Sequence, residues 1–177
     1  MPHTQVYRAK GSRVLGAGTV GFAAVLLVWL GIGSPGRLLV LGPALLLLAS
    51  LGWLAYWRPC VVIDEQGIVL HNVFRRVVVP WPALVEVHSR YGMRVETTGG
   101  TFGAWAVPAP TGLGRAQGGD TEATTMVRQR LARLQAHGEV PPADATTAPR
   151  TQVDRTAVAV AGVLTALTVL GLLATLP

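Results

Sequence analysis

Three long stretches without a charged residue restrict the fold of this chain more than any other feature. They cover residues 14–36, 38–57 and 157–176. Each holds about 20 mainly apolar residues, which is the length that an α-helix needs to cross the hydrocarbon core of a bilayer. Charged residues make up only 14% of the chain, against about 25% in soluble domains. The sequence therefore predicts a membrane protein with three transmembrane helices.

The first two apolar stretches are predicted to form a tight helical hairpin. Only the segment 33–37, with the sequence GSPGR, separates them, and this composition is typical of a turn. A cleaved signal peptide is the alternative, but it would need a small-residue cleavage site where the second stretch begins instead. Trp53, Tyr56 and Trp57 lie at the far end of the second stretch, as aromatic residues do at a membrane interface. We therefore expect both stretches to be membrane spans.

The distribution of basic residues predicts the orientation in the membrane. Three basic residues precede the first apolar stretch, whereas the turn after it contains one, Arg37. Further arginines, from Arg58 to Arg155, lie on the same side as the N-terminus once two spans have crossed. Basic residues are enriched on the cytoplasmic side of membrane proteins. We therefore predict a multi-pass protein of the plasma membrane, with the N-terminus and residues 58–138 in the cytoplasm.

The remaining composition argues against several classes of function. The formal net charge is +6, but residues 58–156 contain eleven arginines and nine acidic residues, so the excess is not concentrated there as in a nucleic-acid-binding domain. One cysteine, Cys60, and four dispersed histidines form no metal-binding pattern. The apolar stretches contain no ionisable residue, which argues against a pump or transporter. We therefore predict no nucleic-acid partner, no metal and no cofactor.

Five segments follow from these patterns. They are a cytoplasmic tail (1–13), a transmembrane helical hairpin (14–57), a small mainly-β domain with a C-terminal helix (58–138), a flexible linker (139–155) and a third transmembrane helix (156–177). Small residues recur at four-residue spacing in two spans, as in Ala17/Gly21 and Gly162/Ala166. This spacing lets helices approach closely. It serves either packing among the protein's own spans or a homo-oligomer.

Residues 60–107 have the pattern of an antiparallel meander. Short runs with alternating apolar and polar residues are separated by turn residues, and about six strands result. Gly67 is expected to have a structural role, since it is free to adopt positive φ in the first turn. The prolines on both sides of Trp81 predict a strand edge or corner, because proline lacks a ladder donor. Trp81 is expected to pack into the sheet there.

A helix is predicted over residues 120–137. Asp120 or Thr121 can cap its N-terminus, and Gly138 follows its C-terminus. Its apolar positions recur at residues 127, 131 and 134, so they share one face. Packing of this face on the sheet is the favoured interpretation, and an arginine-rich ligand site on the helix is the alternative.

The strand pattern resembles that of the bacterial PH-like domains. The residues that carry the resemblance are Asp64-x-x-Gly67, then Pro80-Trp81, then Leu84-Val85-x-Val87. The pattern is most similar to the PH-like domain of the low molecular weight protein antigen 6 family, small membrane proteins of bacteria, in which two spans also precede the domain. The resemblance implies a PH-like partial barrel closed by the helix at 120–137. It also implies binding of a lipid headgroup or a protein, although a fold alone does not establish function.

The second hairpin turn holds the candidate contact residues, Phe74, Arg75 and Arg76. Phosphoinositide-binding PH domains carry basic residues in the first hairpin loop, but here that loop, at residues 64–66, is acidic. Phe74 either dips into anionic lipid with the two arginines beside it or folds into the core. The predicted function is a membrane-anchored interaction module that binds a membrane or cytoplasmic protein partner at the bilayer surface. The alternative is a sensor of anionic lipid headgroups that uses residues 74–76.

Catalysis is not expected. Glu86, His88 and Glu96 are the only acid/base trio that the strands suggest, and alternation places all three on the outward face. The pattern provides no nucleophile beside them. We therefore predict no catalytic residue and a protein that is not an enzyme.

Overall fold

A computed structural model describes residues 4–109, 121–139 and 147–175. The chain divides into two compact units. One consists of Met1–Ala9 with Pro59–Val153, and the other of Lys10–Arg58 with Asp154–Pro177. The first unit contains the strands and one helix, and the second contains the long apolar helices. Both units are therefore assembled from segments that are distant in sequence.

The helical unit consists of α1 (Lys10–Gly33), α2 (Pro35–Gly52) and a helix that begins at Arg155 and ends at Leu173. A π-helical turn, Trp53–Trp57, extends α2. By length and composition, all three helices can cross a membrane. Pro35 occupies the first turn of α2, where its missing N–H has no cost. The predicted apolar stretches are thus helical.

Glycines let the first two helices approach closely. A Cβ at Gly52 would lie 2.7 Å from Thr19 Cγ2, and one at Gly16 would lie 3.2 Å from Tyr56 Cβ. The indole rings of Trp53 and Trp57 stack with centroids 5.0 Å apart. Gly16 and Gly52 thus serve packing within this hairpin, whereas a Cβ at either predicted glycine, Gly21 or Gly162, would meet nothing within 4 Å.

In its described residues, the β-rich unit contains eight short strands in two antiparallel sheets. They are β1 (Gln5–Tyr7), β2 (Cys60–Ile63), β3 (Gly67–His71), β4 (Arg75–Pro80), β5 (Leu84–His88), β6 (Arg94–Thr97), β7 (Gly100–Gly103) and β8 (Arg150–Val153). The strand order is β1-β2-β3-β4-β8 in one sheet and β5-β6-β7 in the other. The 3₁₀ turn Trp81–Ala83 separates the sheets. The predicted meander is therefore divided at the proline-flanked corner, where ladder donors are missing.

The predicted tail and linker each contain a strand, and here the structure differs from the prediction. In the tail, β1 pairs with β2 so that Val6 lies opposite Val62. In the linker, β8 pairs with β4 so that Gln152 lies opposite Arg76. All four side chains of β8 are exposed. Strand pairing uses the backbone, so an edge strand needs no apolar signal in its side chains.

The helix α3 (Glu122–Ala136) packs on the core of this unit. Val127 and Leu134 are buried and Leu131 is partly buried, so the predicted apolar face is confirmed. Thr121 caps the helix, accepting a hydrogen bond from Thr124 N–H, while Asp120 lies outside the described residues. Gly138 follows the helix with φ of 69°. The third apolar helix, Arg155–Leu173, is α4.

Candidate functional site

The candidate contact residues lie in the turn between β3 and β4. The turn is closed by a 2.9 Å hydrogen bond from Asn72 N–H to the Arg75 carbonyl. Phe74 is 38% exposed, and Arg75 and Arg76 are exposed at the start of β4. Phe74 therefore does not fold into the core, and the aromatic ring and both guanidinium groups lie at the surface.

Asn72 connects this turn to the other sheet. Its side-chain amide donates a 2.8 Å hydrogen bond to the Gly103 carbonyl, and its side-chain oxygen accepts a 2.7 Å hydrogen bond from Trp105 N–H. The loop that follows β5 reaches the same segment, since Ala104 N–H donates to the Met93 carbonyl at 2.9 Å. Three loops from two sheets thus meet at one end of the domain.

These loops present three exposed aromatic side chains and three arginines. Tyr91 is 62% exposed and Trp105 is 58% exposed. The Arg90 guanidinium lies 5.5 Å from the centroid of the Tyr91 ring, within the range of a cation–π contact. We call this surface the aromatic–arginine rim; it consists of Phe74, Arg75, Arg76, Arg90, Tyr91 and Trp105.

Sequence reasoning identified only half of this rim. Nothing in the sequence pattern places Trp105 next to the turn at Phe74. The residue that connects them is Asn72. Its two hydrogen bonds span 31 and 33 positions in the chain, and a contact of that range leaves no local signal. An asparagine directly before a hairpin turn was the available clue.

Gly67 and Trp81 are part of the sheet packing. A Cβ at Gly67 would overlap the Val79 carbonyl oxygen and lie 2.8 Å from Pro80 Cα. Gly67 is not among the glycines with positive φ, so close approach of β4, and not turn conformation, is the reason for glycine here. Trp81 is 2% exposed, and its indole N–H donates a 3.1 Å hydrogen bond to the Asp64 carbonyl.

The acidic first turn has a local structural use. One carboxylate oxygen of Asp64 accepts hydrogen bonds of 2.9 Å from both Gln66 N–H and Gly67 N–H. This is an Asx-type turn, in which the side chain replaces a backbone acceptor. The loop that carries cations in phosphoinositide-binding PH domains is thus organised around a carboxylate.

Glu86, His88 and Glu96 come together on the outer face of the three-stranded sheet. Glu96 lies 3.1 Å from His88 Nε2, and Glu86 lies 3.7 Å from His88 Nδ1. Glu86 and Glu96 are direct cross-strand neighbours. Their ligand atoms all lie within 4.8 Å of one another, so this trio is where a cation could bind in the described part of the chain. The imidazole lies between the carboxylates and offsets their repulsion when it is protonated.

The arginine-rich helix has a small cavity beside it. The cavity measures about 330 Å³ and is lined by Gln5 and Ile63 from the strands and by Gln129, Arg130 and Arg133 from α3. Burial, followed by the nearby negative charge of Glu122, raises the pKa of Tyr7 above its ordinary value. The phenol of Tyr7, which packs partly buried against the core, is therefore neutral at ordinary pH values.

Comparison with known families identifies the β-rich segment. Residues 58–140 match the family model described as a bacterial PH domain. The two sheets and the following helix α3 agree with the PH-like fold that the resemblance implied, and PH domains are in general non-catalytic interaction modules. No curated protein and no solved structure matches the chain. The closer resemblance to the low molecular weight protein antigen 6 family stays a resemblance. Residues 58–140 of this chain thus form a domain similar to the bacterial PH domains, and three helices in the described part of the chain are long and apolar enough to span a membrane.

Proposed function

We propose that this protein is a membrane-anchored interaction module whose PH domain binds an anionic lipid surface through the aromatic–arginine rim. The observation that carries the proposal is the pair of hydrogen bonds at Asn72, which joins the turn of Phe74, Arg75 and Arg76 to the segment of the exposed Trp105. Trp and Tyr favour the membrane–water interface. Each arginine near an anionic leaflet contributes about 1 kcal/mol.

The membrane anchor makes a weak contact sufficient. Three apolar helices would hold the domain at the cytoplasmic surface of the plasma membrane, so the rim meets lipid at high effective concentration. The arginines of the rim lie on different loops. Contact with a charged bilayer surface does not require them to form a closed pocket. We therefore propose recognition of surface charge and interface, not of one phosphorylated headgroup.

The test compares neutral and anionic bilayers. The full-length protein is placed in nanodiscs of phosphatidylcholine with or without phosphatidylglycerol, and amide hydrogen exchange is measured. We expect slower exchange at residues 72–76, 89–92 and 103–107 in the anionic discs. The difference should shrink at high salt, because screening weakens exposed charge contacts.

Two double variants distinguish binding by the rim from a general effect of positive charge. Arg75→Ala with Arg76→Ala should abolish the difference between the two kinds of disc. Arg130→Ala with Arg133→Ala removes the same charge from α3 and should leave the difference intact. Equal exchange in both bilayers, or equal effects of the two variants, would contradict lipid binding by the rim.

A protein partner is the second candidate function, and one edge strand favours it. In the five-stranded sheet, the edge strands are β1 and β8, which have three and four residues. In the other sheet β7 is an edge strand, and Gly100, Thr101 and Gly103 are exposed on it. An exposed strand edge can accept a strand from a partner. We propose strand addition at β7, where three of the four residues are exposed.

Site-specific crosslinking tests this candidate. A photoreactive residue at Thr101 should capture one reproducible protein in intact membranes, and the same residue at Thr125, exposed on α3, should not. A second pair of variants carries the crosslinker at Phe102, with either threonine or proline at position 101. Capture should occur with threonine and be lost with proline, which cannot donate a backbone hydrogen bond. Identical products at Thr101 and Thr125 would rule out strand addition at this edge.

A further inference from the structure

A cavity lies among the three apolar helices. It measures about 680 Å³ and is bounded by Val20 of α1, Trp53 and Leu54 of the π-helical turn, and Ala157 and Val160 of α4. Ligand sites in proteins occupy about 300–1,000 Å³, with mainly apolar walls and a few polar groups. π-Helical turns also occur frequently at functional sites.

The polar groups of this cavity are two opposite charges side by side. Arg58 Nη2 lies 2.6 Å from Asp154 Oδ2, and both side chains are partly exposed, at 41% and 29%. The other oxygen of Asp154 accepts a 2.9 Å hydrogen bond from Ala157 N–H, which fixes the carboxylate at the N-terminus of α4. Thr156 completes this end of the cavity.

The pair is ionised at neutral pH. The hydrogen bond from Ala157 N–H, followed by that from Arg58, holds the pKa of Asp154 below its ordinary value. Arginine is always charged in proteins. The cavity therefore presents one fixed anion and one cation next to each other, and its other walls are mainly apolar, with Ser50 and Thr156 as the remaining polar residues.

We propose that this cavity binds a zwitterionic phospholipid of the phosphatidylethanolamine class. The lipid phosphate accepts hydrogen bonds from Arg58, its primary ammonium donates to Asp154, and one acyl chain lies between the helices. An anionic headgroup is attracted by Arg58 but repelled by Asp154. A choline headgroup has no N–H to donate to the carboxylate, so charge-assisted hydrogen bonding favours ethanolamine.

The inference rests on the membrane anchoring in the proposed function, but not on the rim. The full-length protein is purified in detergent and titrated with phosphatidylethanolamine, phosphatidylcholine and phosphatidylglycerol of identical acyl chains. Native mass spectrometry then counts bound lipids. We expect phosphatidylethanolamine to bind about 10-fold more tightly than the other two, as the gain of one charge-assisted hydrogen bond predicts.

Two variants assign the binding to this ion pair. Asp154→Asn keeps an oxygen that can cap α4 but removes the negative charge, so it should abolish the preference for ethanolamine and improve binding of phosphatidylglycerol. Arg58→Gln should weaken the binding of all three lipids. The matched control, Arg37→Gln, removes a charge from the turn between α1 and α2 and should change nothing.

A third variant tests the cavity without touching the charges. Val160→Trp fills the apolar part and should reduce binding of all three lipids, with thermal unfolding showing that the protein is still folded. Equal affinity for the three lipids, or an unchanged preference in Asp154→Asn, would overturn the proposal. The Arg75→Ala/Arg76→Ala variant should lose the contact of the rim with anionic nanodiscs but bind the three lipids in these titrations as the wild type does. The two proposals can therefore fail separately.

Discussion

Single side chains determine where the two sheets of the PH domain meet. Asn72 bridges them at the rim with two hydrogen bonds. At the turn between the sheets, the buried indole of Trp81 donates to the Asp64 carbonyl, and Gly67 leaves room for the backbone of β4. Removing the partner of a buried polar group, such as this indole N–H, costs about 1–3 kcal/mol. The geometry of the domain is therefore sensitive to a few positions.

Gly67→Ala should destabilise the PH domain. The added Cβ would overlap the Val79 carbonyl oxygen, which is backbone and cannot move away as a side chain can. We expect a loss of about 2 kcal/mol or more, as for overpacked core sites, and a drop in Tm of roughly 10 °C in detergent. The control is Gly103→Ala, where a Cβ meets nothing within 4 Å. Similar Tm values for both variants would contradict this account.

Asp154 should make stability depend on acid pH. Its folded pKa is lowered by the Ala157 N–H and then by Arg58. The stabilisation is therefore present above the unfolded pKa of about 3.9 and is lost as pH falls through the folded value. Thermal unfolding of the wild type and of Asp154→Asn should differ at pH 6 and converge below about pH 4. Parallel Tm curves across this range would show that the carboxylate charge contributes nothing.

At the level of elements, the five-stranded sheet depends on short edge strands from far along the chain. β1 has three residues and β8 has four. Between them lie the three strands that carry most of the apolar alternation, β2 to β4. These two edge strands cover backbone groups that would otherwise be open to pairing with other chains. They also explain why parts of the segments predicted as tail and linker belong to the sheet.

Prolines in β8 should release β4 without unfolding the domain. Neighbouring residues of an antiparallel strand point their N–H groups to opposite sides, so Thr151→Pro with Gln152→Pro removes the donor that faces β4. Because the side chains of β8 are exposed, little apolar burial is lost. Amide exchange in residues 75–80 should accelerate several-fold, while residues 60–63 stay protected. Uniform acceleration in both strands would instead show that β8 holds the whole domain together.

At the scale of the whole molecule, each unit is built from both halves of the chain. The PH unit draws on residues 1–9 and 59–153, and the helical unit takes the segments between and after them. A fragment cut at residues 58–138 would therefore lack both β1 and β8. Experiments on this protein are best carried out on the full chain.

Cysteine labelling tests the predicted orientation in the membrane. Cys60 is buried and is first replaced by serine. Ser34→Cys, between α1 and α2, should react with an impermeant reagent in intact cells, because the basic residues predict that this turn faces outward. Gln66→Cys, exposed in the first hairpin of the PH domain, should react only after permeabilisation. Reaction at position 66 in intact cells would reverse the orientation.

The amino-acid sequence by itself determined the helices, most of the strands and the division at Trp81. These follow from local causes: runs without charge, alternation with period two, and prolines that cannot donate. It also indicated Phe74, Arg75 and Arg76, because a hairpin turn with an aromatic residue and two arginines can be recognised from neighbours alone.

Only the tertiary structure decided what joins these parts. The pairing of β1 and β8, the bridge from Asn72 to Trp105, and the ion pair of Arg58 with Asp154 connect residues that lie far apart in sequence. Such contacts form where strand edges and helix ends come together in the folded chain. The short polar segments that make them have no hydrophobic periodicity from which the contacts could be predicted. For the same reason, the trio around His88 was visible as three outward positions, but its spacing of 3.1 and 3.7 Å was not.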